Sequence, residues 1–181
     1  MKQIEKGTVI AAVKSEDFDA AVKSEAEWIF DLSPDLNCIA ERVQRAHAAG
    51  KKLLIHFDLA MGIGKDKSGI QFAKQAGVDG IISTRVKVIK MARQAEIFTV
   101  QRFFIVDSHS IETTIEALGA SKADMIEVMP GIVPKIISGL AKRIDTPIIA
   151  GGLIETEEEI NAVIGAGATA VSTGKKELWK R

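Results

Sequence analysis

The sequence predicts an α/β fold in which parallel strands close into a compact (β/α)8 TIM-type barrel, small enough to be incomplete. Three observations carry this expectation. Short apolar runs rich in β-branched residues alternate with polar turns and amphipathic helical segments along the chain. From the third run onward the run ends fall roughly 19 to 25 residues apart, room for one helix and two tight turns. Strands that alternate with helices must pair in parallel, with the helices as crossovers. A barrel of this kind usually takes about 200 residues or more, and the chain has 181. A doubly wound open sheet is the structural rival. A leucine-rich solenoid has a similar period but needs an L-x-x-L-x-L pattern that does not occur.

In chain order the expected strands are residues 8–12, 28–32, 52–58, 80–83, 98–102, 125–129, 147–150 and 168–172. Each is apolar at its centre and stops at a polar or glycine-containing turn. Gly50, Gly77, Gly119 and Gly167 fall between a helical run and the next strand, where a left-handed residue is wanted after a helix. No low-complexity linker or charge block interrupts the chain, so one barrel domain over residues 1–181 is expected.

Composition narrows the function classes. The chain is 46% hydrophobic, enough for a packed core and too much for disorder. Lys+Arg and Asp+Glu are each 24, so the chain cannot coat nucleic acid by bulk charge, which leaves only a local basic patch. Cys38 is the only cysteine, which removes disulfide and cysteine-metal frameworks, and in "LNCIAERV" it reads as a helix-core residue. No apolar stretch reaches membrane-spanning length, and the run near the N-terminus is too short for a signal peptide, so a cytoplasmic protein with no membrane partner is expected.

Barrels of this type build their sites at the C-terminal ends of the strands. In "KLLIHFDL" the period of two places His56 and Asp58 on the inward face, with Leu53, Ile55 and Phe57 toward the helices. In "MIEVM" it turns Glu127 inward, where a buried carboxylate needs a partner. In "FTVQRFF" Phe98 and Val100 read as helix-facing and Thr99 and Gln101 as inward, leaving Arg102 outward unless the strand bulges or ends. Such residues can form either a ligand site or a satisfied polar layer inside the barrel.

After the seventh strand comes Gly151-Gly152, and after the eighth Ser172-Thr173-Gly174. These are the two loops between which barrels of this class often hold a phosphate, and glycine lets backbone N–H groups approach an anion closely. Thr156 with Glu159 matches a capping box, so the helix after strand seven is closed by its own side chains, and Glu155, Glu157 and Glu158 would repel an anion there. Lys175 and Lys176 are the opposite case: cations in a first helical turn are disfavoured unless a bound anion reverses the preference. The alternative is that both are simply solvated.

Six stretches carry a family resemblance: "IHFDLAMGI" (55–63), "DGIISTR" (79–85), "TVQRFFIVDS" (99–108), "IEVMPGIVPKII" (126–137), "PIIAGGLIET" (147–156) and "GATAVSTGKKELW" (167–179). In these the chain resembles the glycerol uptake operon antiterminator regulatory proteins of bacteria. The resemblance implies a small phosphate-binding barrel that senses glycerol 3-phosphate and acts on leader mRNA to prevent transcription termination in glycerol genes. Under it, Gly151, Gly152, Ser172, Thr173 and Gly174 would cradle the phosphate, and His56, Asp58, Arg102 and Glu127 would bond the polyol hydroxyls. Three departures stand out: "FDL" (30–32) where the family tends to carry a glycine, Arg85 where lysine is more usual, and Lys175-Lys176 in place of a more neutral segment.

For RNA the local candidate is "VKVIKMAR", where Lys87, Lys90 and Arg93 recur every three residues with Arg85 just before; a solvated helix face is the alternative. Phe103 and Phe104 read as core rather than a base-stacking platform. A homodimer is one way to complete an RNA surface. Ligand binding would order the segment 60–68, with its glycines, to present that surface. Neither cofactor nor metal is expected, since no H-E-x-x-H or D-x-D cluster indicates a metal site among the strand-end residues. Two other readings stay open: a phosphate-binding enzyme, either an isomerase or a glycerophosphodiester hydrolase using His56 as acid or base, and a partner-binding barrel with a vestigial pocket.

Overall fold

A parallel strand covered by helices on one side and barrel interior on the other is apolar on both faces, and that is what the short apolar runs become. The computed structural model describes residues 4–180. Its eight strands are β1 (Thr8–Val13), β2 (Trp28–Asp31), β3 (Lys52–His56), β4 (Gly80–Ser83), β5 (Phe98–Phe104), β6 (Met125–Met129), β7 (Ile148–Gly151) and β8 (Ala170–Thr173). They pair in parallel in chain order, and β8 closes on β1 through the register Thr8 with Ala170 to Ala11 with Thr173. All eight expected strands are present and the barrel is complete, so the open sheet is excluded.

The crossovers are α1 (Phe18–Lys23), α2 (Ile39–Ala48), α3 (Lys67–Gln75), α4 (Val86–Gln94), α5 (Ser108–Ser121), α6 (Pro134–Ala141) and α7 (Glu157–Gly165). A single 3-10 turn, Lys176–Leu178, stands where an eighth helix would follow β8.

Two cores result from the alternation. Outward residues such as Val9, Ile29, Leu53, Ile81, Ile126 and Val171 pack under the helices, whereas Ile10, Phe30, Leu54, Ile82, Val100 and Ile149 fill the barrel. All are fully buried, each worth about 1.5–3 kcal/mol relative to exposure.

The structure departs from the sequence pattern at several positions. In β5 the faces are reversed: Phe98 and Val100 point into the barrel, the Phe98 ring 6.3 Å from Trp28, and Thr99 and Gln101 lie on the helix side. The Thr99 hydroxyl donates to Asp124 at 2.6 Å, which satisfies it there. Arg102 therefore points inward, opposite Glu127 in the β5–β6 register. The third strand ends at His56, and Asp58 belongs to a 3-10 turn, Phe57–Leu59, so strand alternation does not reach it. Gly119 lies inside α5, whose left-handed cap is Lys122 at φ 57°. Gly50, Gly77 and Gly167 do take positive φ. Cys38 is the N-cap residue of α2, half-buried rather than core. Phe104 is 58% exposed, so it is not a core residue.

A buried pair that strand patterning did not reveal ties the first two units together. Asp31 at the end of β2 turns toward α2 and accepts from Arg42 Nη1 at 2.6 Å; Arg42 Nη2 reaches Ser15 at 2.8 Å. The segment 60–66 is also fixed within the protein. Met61 N donates to Pro34 O, Leu36 N donates to Met61 O, and Lys65 caps the carbonyls of Ala60 and Ile63.

Candidate functional site

At the C-terminal mouth the inward positions of successive strands are chemically unequal. Ala12 on β1 and Gly151 on β7 are small, while His56 on β3, Arg102 on β5 and Glu127 on β6 are large and polar. The missing bulk leaves a cavity of about 510 Å³, displaced toward the β7, β8 and β1 side. Arg102, Glu127 and Ser172 are at its base; Gly152, Leu153, Gly174, Lys14 and Lys175 are among the residues around it.

Glu127 organises the base. It is fully buried; Oε2 accepts from Arg102 Nε at 2.5 Å and Oε1 accepts from Ser172 Oγ at 2.5 Å. A buried carboxylate needs such partners, and a charged pair within hydrogen-bond distance supplies them. Gly151 makes room for the arrangement: a Cβ there would lie 2.6 Å from both Glu127 Oε1 and Ser172 Oγ. Arg102 Nη1 and Nη2 have no partner among the described residues, so the guanidinium is held at Nε and free at its outer edge.

His56 is 4% exposed and its Nδ1 has no hydrogen-bond partner. Burial, and next the Arg102 charge, holds its pKa below the ordinary 6.5, so the ring is neutral at pH 7. It stands beside the charged pair without lining the cavity. Asp58 is outside the cavity as well. Its carboxylate accepts from Ser83 Oγ at 2.7 Å, Thr84 N at 2.8 Å and Thr84 Oγ1 at 2.9 Å, clipping the end of β3 to the β4 loop. Burial pushes its pKa upward, but those hydrogen bonds prevail and keep it below the usual carboxylate value.

The upper wall is built from backbone. Gly152 and Leu153 take consecutive left-handed conformations, φ 78° and 61°. For leucine this costs about 1–2 kcal/mol, and its side chain is 69% exposed, so packing does not offset the strain. Strain of this kind collects at functional sites. The amides of Gly152, Leu153 and Gly174 donate to no acceptor among the described residues. By contrast the amides of Glu155 and Thr156, at the start of α7, donate to the Glu159 carboxylate at 2.7 and 3.0 Å, and Thr156 Oγ1 accepts from Glu159 N. The capping box is present and closes that helix end.

The two lysines after β8 part company. Lys175 lines the cavity, whereas Lys176 Nζ lies 2.5 Å from Asp17 Oδ1. Thr173 lines the cavity as well, and its hydroxyl is engaged: it donates to Ile154 O at 2.7 Å and accepts from Lys175 N at 3.0 Å, so it braces the wall. Lys14, Met129 and Leu153 line the cavity without having been singled out in the sequence. Lys14 follows β1, and the strand-end rule that selected the other residues would have found it.

The basic residues on α4 are remote from this base. Arg85 is its N-cap, 3.8 Å from Asp58, and Arg93 is paired with Asp124 at 2.5 Å. Lys87 and Lys90 are exposed and without ion-pair partners among the described residues. No group of three His, Cys, Asp or Glu placed to hold a metal occurs among the described residues. No helix there is long and apolar enough to cross a membrane.

With this geometry in hand, comparison with known proteins is decisive on one point. The pattern of the family described as "Glycerol-3-phosphate responsive antiterminator" matches residues 9–179. The chain belongs to that family. It is 38% identical over 173 residues to the uncharacterized protein YgcP of Escherichia coli strain K12, covering 94% of this chain and 91% of that one. It superposes on the glycerol uptake operon antiterminator regulatory protein of Listeria monocytogenes with a TM-score of 0.90 at 35% identity, over 95% of this chain and 94% of that one. A glycerol uptake operon antiterminator-related protein of Thermotoga maritima gives 0.87 at 32%, over 98% and 99%.

Proposed function

We propose that this protein is a non-enzymatic sensor of glycerol 3-phosphate that regulates glycerol genes by binding leader mRNA. The observation that carries the reading is the joint presence, around one cavity, of three unengaged amides, two lysines and the half-free Arg102 guanidinium. Amides and lysines suit a phosphate dianion, because hydrogen bonds to a charged acceptor are short and strong. The cavity, at about 510 Å³, is within the usual range for small-ligand sites.

In this reading Gly152 and Gly174 hold the phosphate by their amides, Gly151 provides clearance, and Ser172 and Thr173 shape the wall. The polyol lies toward Arg102. Both Glu127 oxygens are engaged within the protein, which makes Glu127 a holder of Arg102 more than a free base, and this favours binding over acid–base turnover. RNA contact is assigned to the exposed cations Arg85, Lys87 and Lys90, with Arg93 at the end of the stripe, and a cytoplasmic homodimer would double that surface.

Calorimetry with glycerol 3-phosphate tests the sensor: saturable one-site binding without turnover is expected, and absence of binding would end the proposal. A gel-shift assay with leader RNA, with and without the ligand, tests the output; ligand-independent or absent RNA binding would reject antitermination as the mechanism.

A further inference from the structure

Resting on the reading of this cavity as a phosphorylated-polyol site, we propose that its base is a charge-balanced selector that accepts an uncharged hydroxyl end and rejects a carboxylate, with Arg102 as the reader and Glu127 as its positioning residue.

An arginine facing a ligand is ordinarily a carboxylate receptor, because its fork of donors matches two acidic oxygens. Here that attraction is opposed at its source: Glu127 lies 2.5 Å from Arg102 Nε and is fully buried, and Arg102 is 7% exposed, so solvent screens the pair's mutual field little. The third ionisable group facing them, His56, is neutral at pH 7 and adds no charge. Base charges therefore sum to zero. A hydroxyl arriving at the outer Nη donors keeps that balance, whereas a carboxylate brings an uncompensated negative charge next to Glu127 in a poorly solvated place.

Geometry fixes the reader in one pose. Ser172 holds the second Glu127 oxygen, and the absence of a side chain at Gly151 allows Glu127 and Ser172 to meet. With Nε engaged, only the Nη edge of Arg102 is open, and Arg102 lines the cavity. The cations Lys14 and Lys175 follow β1 and β8 and share the cavity lining with the acidic Glu16, Asp17 and Glu155, so they bring no net positive charge to the base.

The test compares glycerol 3-phosphate with 3-phosphoglycerate, which carries a phosphate at one end and a carboxylate at the other, by calorimetry on the full chain. Wild type is expected to favour glycerol 3-phosphate by at least about tenfold. In Glu127→Gln, which keeps the shape and removes the charge, Arg102 becomes an uncompensated cation and the preference should shrink by about tenfold or reverse. A merely structural role for Glu127 would weaken both ligands together and leave their ratio unchanged, and that result would overturn the proposal. The wild-type ratio does not depend on whether the variant folds: equal or tighter binding of 3-phosphoglycerate also overturns it. If glycerol 3-phosphate binds but the ratio is near one, the selector falls and the sensor stands; if neither ligand binds, both fall.

Discussion

Placing an alanine at position 151 should collapse the base of the cavity, and the structure gives the size of the effect. Gly151 is not among the positive-φ residues, so alanine carries no backbone penalty there, and a compatible glycine-to-alanine change would otherwise stabilise by about 0.4–1 kcal/mol. The cost is steric. The new Cβ would stand 2.6 Å from Glu127 Oε1, 2.6 Å from Ser172 Oγ and 3.1 Å from the Glu127 carboxylate carbon. Neither neighbour can retreat, since Glu127 is fully buried and tied to Arg102, and Ser172 is 2% exposed. Overpacking contributes about 1–3 kcal/mol, and loss of the charge-assisted Ser172–Glu127 bond about 1.5–3 kcal/mol. After the backbone gain, Gly151→Ala should destabilise by about 2–5 kcal/mol, read as a shift of the urea midpoint at unchanged slope.

Gly152→Ala is the control. Its φ of 78° imposes about 1–2 kcal/mol of left-handed strain, but the atom its Cβ meets is the flexible end of Met129, at 2.7 Å. Adding Ser172→Ala to Gly151→Ala removes one of the two clashes, so the double variant should be less destabilised than the sum of the singles. Gly151→Ala should also weaken glycerol 3-phosphate at least about tenfold by displacing Arg102. A loss of less than about 1 kcal/mol, strict additivity with Ser172→Ala, or a larger effect at Gly152 would refute this account of the cavity base.

Other consequences can be measured in the same assays. Removing one partner of the buried pair, as in Arg102→Met or Glu127→Leu, should cost about 3–5 kcal/mol, while replacing both with apolar residues should return stability to within about 2 kcal/mol of wild type. His56 has a depressed folded-state pKa, so the unfolded chain binds the extra proton first as pH falls; stability should decline below about pH 6.5, and His56→Gln should remove that part of the slope. Thr156→Ala should cost about 1 kcal/mol through the lost cap and leave ligand affinity unchanged, because the helix end it closes is already occupied by Glu159. Equal loss of affinity in that variant would show that the anion sits on α7 after all.

Periodicity revealed the barrel because each apolar run is buried on both faces, and glycine spacing located three of the helix ends. It also placed His56 and Glu127 on the inward face. It failed in β5, where reading large aromatics as helix-facing reversed the strand. At the lower end of this barrel Trp28, Phe30 and Phe98 fill the interior, and the polar Thr99 is tolerated outside because Asp124, from the turn before β6, receives its hydroxyl. That compensation comes from a residue 25 positions away and leaves no trace in local alternation. Asp58 was misread for a different reason: the strand gives way to a 3-10 turn directly after His56, and alternation has no meaning beyond that point. The unengaged amides and the αL leucine at position 153 are backbone properties that no side-chain pattern encodes, although Gly152 marked their place.

The wall proposed to face the phosphate is stitched from the two ends of the chain. β1 pairs with β8, Lys176 reaches back to Asp17, and the Trp179 indole donates to Thr173 O while its own carbonyl receives the Glu25 amide. A fragment that stops before β8 has no Ser172 to hold Glu127 and no Gly174 amide; one that lacks β1 has no Lys14. The cavity therefore certifies that the barrel has been made in full and has closed. Under the proposed sensing role, a nascent or clipped chain has no complete cavity, so truncated copies should be silent instead of constitutively active.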